Sequence, residues 1–266
     1  MTYETILYEV ENRIATITFN RPERLNAINE QMINELNDAY ARAEEDEEVW
    51  TIIVTATGRA FCSGADVARP AGLEAPSDDR YLSKYRDWEA PQEATPPFRT
   101  MAKPIVVAVN GICCGAGLDL VTTGDIPIAS DNATFFDPHV SIGIVSGREM
   151  VRVARTLPIN VAMRMALLGR HERMSAQRAY ELGFITEVVP QDQLYARARE
   201  LAEIVNRNAP LAVRGTRLAI RKGLGLPLHE AEILAEAFRE RNLHAADSLE
   251  GPRAFMEKRE PRWQCG

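Results

Sequence analysis

No apolar run in the 266-residue chain approaches membrane-spanning length, and the opening MTYETILYEVENR lacks a signal-peptide pattern. Both absences predict a cytoplasmic protein that makes no membrane contact. Cysteine is sparse: Cys62, Cys113, Cys114 and Cys265 show no metal spacing, and two of them are adjacent. A set of reduced thiols is expected from them. The four histidines, His139, His171, His229 and His244, form no metal-binding doublet, so no metal site is expected. There is no basic stripe either. Lys and Arg number 31 against 38 Asp and Glu, the signs are interleaved, and the net charge is −7, which argues against a nucleic-acid partner. No sequence repeat recurs at a fixed period.

What is present is ordinary globular composition, 45% hydrophobic, in a chain long enough for one sizeable core. The informative stretch is KPIVVAVNGICCGAGLDLVTTGDIPIASDNATFFDPHVSIGIVSG, from Lys103 to Gly147. Its β-branched run Ile105 to Val109 reads as a buried strand, ended by Asn110-Gly111. Gly115-Ala116-Gly117 lets the backbone turn sharply into a short helix over Leu118 to Thr123. Such a turn leaves N–H groups facing whatever lies in front of the helix, a setting for an oxygen that carries negative charge. A second strand-to-turn of the same kind runs from Trp50-Thr51-Ile52-Ile53-Val54 to GRAFCSGAD, which ends at Asp66. Two turns could supply one N–H each to a shared oxyanion. The plain alternative is a pair of tight turns with no ligand.

Around that stretch the chain reads as a hairpin (ILYEV, IATITF), a loop RPERLNAIN, and a helix capped by Asn29 with Met32, Ile33, Leu36, Ala39, Tyr40 and Ala43 at helical spacing. Val67 to Thr100 loses periodicity and is rich in proline, as a lid or a surface loop would be. After Gly147, helices are expected over Arg148 to Leu157 and Ile159 to Leu168, split by Pro158. Ser175 caps another that Gly183 ends, and the strand FITEVV follows. From Asp192 onward the pattern is helical: 192–207, 210–222, 227–246 and 248–259.

The segments RPERLNAIN, GRAFCSGAD, KPIVVAVNGICCGAGLDL, GDIPIASDNATF, LLGRHERMSAQRAYELGFITEVVP and EGPRAFMEKREPRW are similar to the crotonase family, also called the enoyl-CoA hydratase/isomerase family. They occur in order along nearly the whole chain. The resemblance implies an α/β fold, a spiral of β-β-α units over residues 1–195 followed by a helical trimerisation region over 196–266. It implies a homotrimer or dimer of trimers, an acyl-coenzyme A thioester as substrate, and no cofactor beyond the coenzyme A that the substrate carries. It also implies that the backbone N–H groups of Ala65 and Ala116 stabilise the enolate oxygen, a role suited to fixed donors. The family usually has glycine where Ala116 stands; alanine keeps the N–H and adds a methyl group.

The acid/base pair departs from the family pattern. Where family hydratases carry two glutamates, this chain has Asp119 and His139. Asp119 is shorter by a methylene, a retreat of roughly 1–1.5 Å, and lies in the first helical turn, where the dipole favours its ionised form. His139 can serve as acid or base near neutral pH, but it copies neither the charge nor the geometry of a carboxylate. Its plain alternative is a packed core residue, and that of Asp119 a helix N-terminal charge. Asp137 and Glu149 are reserve candidates. For the thioester's handle, the resemblance implies Arg24, Leu25 and Ala27 beside the nucleotide, with Ala65, Asp66 and Val67 along the pantetheine and Gly115 in the turn. Phe255 and Lys258 would reach a neighbouring subunit's nucleotide.

Hydration of an enoyl-CoA is the expected activity. The altered pair keeps open an isomerase, a decarboxylase, a C–C lyase or a thioesterase, and also a non-catalytic CoA-binding protein. A Clp-like serine peptidase would want a serine on the Gly-rich turn, where GICCGAGLDL has none.

Overall fold

The computed structural model describes residues 3–66 and 100–265. The hairpin forms as expected: β1 (Ile6–Glu11) pairs antiparallel with β2 (Ile14–Phe19). Its two-residue turn, Asn12-Arg13, has positive φ at both positions (51° and 65°), the geometry that matches strand twist. The rest of the large sheet is parallel. β3 (Thr51–Ala56), β5 (Ile105–Val109), β7 (Ile126–Ser130) and β10 (Glu187–Val189) complete the order β1-β2-β3-β5-β7-β10.

Strands covered on both faces read as unbroken apolar runs, and Thr51-Ile52-Ile53-Val54 and Ile105 to Val109 are buried throughout. Their two-residue alternation divides the side chains between two cores. Ile52 and Val54 pack in the core shared with Met32, Leu36, Ala39 and Tyr40 of α1 (Glu30–Glu45). Ile53, Val106 and Ala108 join Leu194, Ala198 and Ala202 of a helix on the opposite face, Leu194–Asn206. Burying each large aliphatic side chain contributes about 1.5–3 kcal/mol. Asn29 Oδ1 accepts the Met32 N–H at 2.9 Å and so caps α1. Ile33, read as part of the apolar face, is 48% exposed instead, because α1 has only one face against the sheet.

After each of three parallel strands the chain turns over and adds a three-residue strand to a second sheet. These are β4 (Ala60–Cys62), β6 (Ile112–Cys114) and β8 (Thr134–Phe136), closed by β9 (Met174–Ser175) in the order β4-β6-β8-β9. Helix α2 (Ala116–Thr123) follows β6, which gives the β-β-α spiral. Then come α3 (Arg148–Thr156), α4 (Ile159–Leu168), α5 (Ala176–Glu181) and α6, the Leu194–Asn206 helix already met.

Lys103 is 1% exposed, and its Nζ donates to the carbonyls of Ala43 and Asp46 at 2.6 Å each, closing the end of α1. The chain ends in α7 (Pro210–Gly223), α8 (Leu228–Leu243) and α9 (Asp247–Glu257). Asp125, at the start of β7, holds α7 by accepting from Arg217 Nε at 2.6 Å and Arg221 Nε at 3.0 Å. Helix α8 rests on α7 and contributes no buried residue. No helix among the described residues is long and apolar enough to cross a membrane.

Candidate active site

The first turn follows β4. Gly64 takes φ +95°, its N–H points to Cys62 Sγ at 3.4 Å, and its carbonyl accepts the Ile28 N–H at 2.9 Å. The Ser63 N–H donates to the Leu25 carbonyl at 3.1 Å and the Asp66 N–H to the Ile28 carbonyl at 2.8 Å. Arg21 adds an ion pair, its Nη1 and Nη2 each 3.2 Å from Asp66 Oδ2, and Nη1 also donates to the Ala27 carbonyl. The RPERLNAIN loop and this turn are therefore one structure. At its base lies Asn26, fully buried, whose Nδ2 donates to the carbonyls of Thr57 and Ala60 at 2.9 and 2.8 Å.

The second turn follows β6. Gly115 takes φ +53° and ψ −121° and caps α2, whose first residue is Ala116. The two turns touch. A Cβ built on Gly64 would stand 3.8 Å from Gly115 Cα and 3.9 Å from Ala116 N, while one on Gly115 would stand 3.3 Å from Gly64 Cα. Ala65 and Ala116 thus present their N–H groups from adjoining backbone, Ala65 exposed and Ala116 half-buried. Neither N–H donates to another described residue. Two such donors are what a developing oxyanion requires. Three thiols pack behind them. Burial pushes Cys62 and Cys114 up to about 12 and Cys113 well above its ordinary value, so they are inert packing groups.

His139 opens a short 3-10 turn, His139–Ile142, after β8. Its Nδ1 lies 2.5 Å from Asp137 Oδ1; the Asp137 side chain is completely buried and that of His139 is 21% exposed. The ring carbon between the two nitrogens faces the Gly-rich turn, with Cε1 3.7 Å from where a Gly115 Cβ would be. The Asp137 hydrogen bond raises the imidazole above its ordinary value, burial opposes the rise, and the charges of Asp137 and Glu149 add to it. Both reserve carboxylates therefore act on His139. Asp119 is buried on α2, three residues after Ala116 and on the same helix face. Its Oδ1 is 3.1 Å from Arg152 Nε of α3. Arg152 and Arg21, the ion-pair partners of Asp119 and Asp66, are residues that sequence reasoning did not single out.

Of the residues expected along the thioester's handle, Arg24 is exposed, Leu25 and Ala27 are half-buried, and Asp66 is engaged by Arg21. All belong to the knitted loop and turn. Val67, with the Pro-rich segment up to residue 99, lies outside the described residues. Phe255, 83% exposed, and Lys258 stand at the end of α9, uncovered by their own chain.

A family model described as enoyl-CoA hydratase/isomerase matches residues 9–265. A probable enoyl-CoA hydratase of Mycobacterium bovis is 34% identical, with 99% of each chain covered. A carnitinyl-CoA dehydratase of Proteus mirabilis is 34% identical over 94% of this chain and 95% of its own. The crystal structure of an enoyl-CoA hydratase/isomerase from Mycobacterium paratuberculosis is 66% identical, covers 99% of both chains and superimposes with a TM-score of 0.88. The match thus runs through both turns, the loop that binds them together and the helical end of the chain: this protein belongs to the enoyl-CoA hydratase/isomerase family.

Proposed function

We propose that the protein adds water across the double bond of an enoyl thioester of coenzyme A. The observation that carries this reading is the contact between the two turns, each carrying an N–H without a partner among the described residues, and an imidazole against the second turn. In the proposed reaction, neutral His139 accepts a proton through Nε2 as the water oxygen bonds to the β carbon. The π electrons move toward the thioester, and its oxygen takes the negative charge opposite the N–H groups of Ala65 and Ala116. The imidazolium then returns the proton to the α carbon, giving the 3-hydroxyacyl thioester. Asp119, paired with Arg152, orients the water. The exposed guanidinium of Arg24 offers a phosphate partner in an otherwise acidic protein.

The test is a panel of enoyl-CoA thioesters, followed by loss of the conjugated thioester's ultraviolet absorbance and by product mass. The expected product is heavier by one water. A protein that binds these thioesters and leaves them unchanged, or only moves the double bond, would overturn the reading.

Self-association as a homotrimer, alone or as a dimer of trimers, is part of the same proposal. Its support is the apolar surface left open on the last three helices and their connections: Leu224, Leu228, Leu249, Phe255 and Met256 are 71–83% exposed. Surface of this kind marks an interface. Light scattering of a dilute sample should return three or six chain masses, and a stable monomer would count against it.

A further inference from the structure

We infer that Asp137 is the positioning residue of this site: its buried carboxylate holds His139 in the tautomer with its proton on Nδ1, leaving Nε2 as the nitrogen that exchanges protons. This rests on the hydration reading for its role in turnover, and on geometry alone for the tautomer.

Four observations carry it. The Nδ1–Oδ1 separation is 2.5 Å, and a carboxylate without a proton of its own can only accept there, so Nδ1 must be the donor. Solvent does not reach the carboxylate to compete for that bond, because the Asp137 side chain is completely buried. The ring is also fixed from the front. Cε1, the carbon between the two nitrogens, faces the Gly115 turn, and the His139 carbonyl accepts the Ile144 N–H at 3.0 Å. Finally, Asp137 Oδ2 is buried with no hydrogen-bond partner among the described residues. A buried, half-satisfied carboxylate is costly to the fold. Such a group is explained by what it does for its neighbour. Holding one ring nitrogen so that the other is free is the familiar use of a carboxylate behind a histidine.

The charged and titratable groups around the pair are few. Glu149 of α3 adds negative charge toward His139, the Cys114 thiol lies in the field of Asp137, and Arg173 stacks on Phe136 at 4.5 Å beside them. Removing the Asp137 charge therefore lowers the proton affinity of His139. Asparagine at 137 can also donate to Nδ1 and so select the wrong tautomer, a change that costs about 10⁴-fold in serine hydrolases.

The experiment compares wild type, Asp137→Asn, His139→Gln and the double variant on an enoyl-CoA across pH. It is paired with ¹⁵N NMR of the imidazole in the wild type. Asp137→Asn should lose about 10²–10⁴-fold in kcat, with KM little changed and the acid limb of the rate profile shifted to lower pH. Adding it to His139→Gln should cost nothing further. The NMR should show neutral His139 protonated on Nδ1 and titrating above its ordinary value. An Nε2–H tautomer in the wild type, an acid limb that stays in place, or additive losses in the double variant would each overturn the inference. The NMR needs neither turnover nor a folded variant. Failure of the hydration reading would therefore appear as an inactive wild type with the Nδ1–H tautomer intact.

Discussion

His139→Ala should turn over an enoyl-CoA about 10²–10⁴-fold more slowly than the wild type, the usual worth of a general acid/base, while thioester affinity barely changes. Affinity is spared because Arg24, Leu25, Ala27 and Asp66 lie on the loop and the first turn, whereas His139 packs against the second turn at Gly115. The wild-type profile should fall on the acid side. The hydrogen bond to Asp137 keeps His139 protonated to a higher pH than an ordinary histidine, so the neutral base appears only above that raised value. His139→Glu is the informative replacement: it brings back one of the family's two carboxylates and should outperform His139→Ala in hydration. Stopped-flow absorbance and isothermal calorimetry separate rate from affinity. A normally folded His139→Ala with wild-type turnover would make His139 a packing residue and turn attention to Asp137 and Glu149.

Gly115→Ala should lower kcat by about 10²–10³-fold, the scale of one lost oxyanion donor. At φ +53° and ψ −121° the backbone is in a region cheap only for glycine, and an L side chain there costs about 1–3 kcal/mol. The added methyl group would also press on Gly64 Cα at 3.3 Å, which is backbone and cannot swing aside. Relief requires the turns to part, and Ala116 N–H moves with them. The pH limb should stay where it is, because the methyl group would meet His139 Cε1 at 3.7 Å, an ordinary van der Waals contact that leaves the bond to Asp137 in place. A variant with an unchanged kcat would show that the spacing of the turns is not what sets the rate.

Much of this architecture was legible in the residues because it rests on local rules. The buried strands declare themselves as β-branched runs. Two helices begin at side-chain caps: Asn29, and Ser175, whose Oγ accepts the Arg178 N–H at 3.2 Å. The short strands AFC, ICC and TFF were not legible. Three residues cannot display an alternation, and each is a strand only because the spiral brings the others alongside. The same limit applied to the site. Asp119 was found by its place after the Gly-rich turn, but its partner Arg152 comes from another helix and no spacing rule joins them. His139 and Asp137 were both visible, two residues apart at the end of a strand. Both lie beyond the last strand residue, Phe136, and the 3-10 turn that starts at His139 brings them together, so strand alternation did not announce their pairing. Ile33 failed in the opposite direction: helical spacing marks an apolar face without saying how wide a face the neighbours will cover.

The thiols behind the two turns have a consequence for chemical modification. With Cys62 and Cys114 pushed up to about 12 and Cys113 well above its ordinary value, almost none of the three is reactive thiolate at neutral pH, and burial blocks reagents as well. Cys265 is partly exposed, its backbone N–H held by Asp247 Oδ2 at 3.1 Å. An alkylating reagent therefore meets one thiol on the native chain and four on the unfolded one. The residues that pack behind the two turns are thus also a built-in clock, whose labelling rate counts how often the centre of the spiral opens.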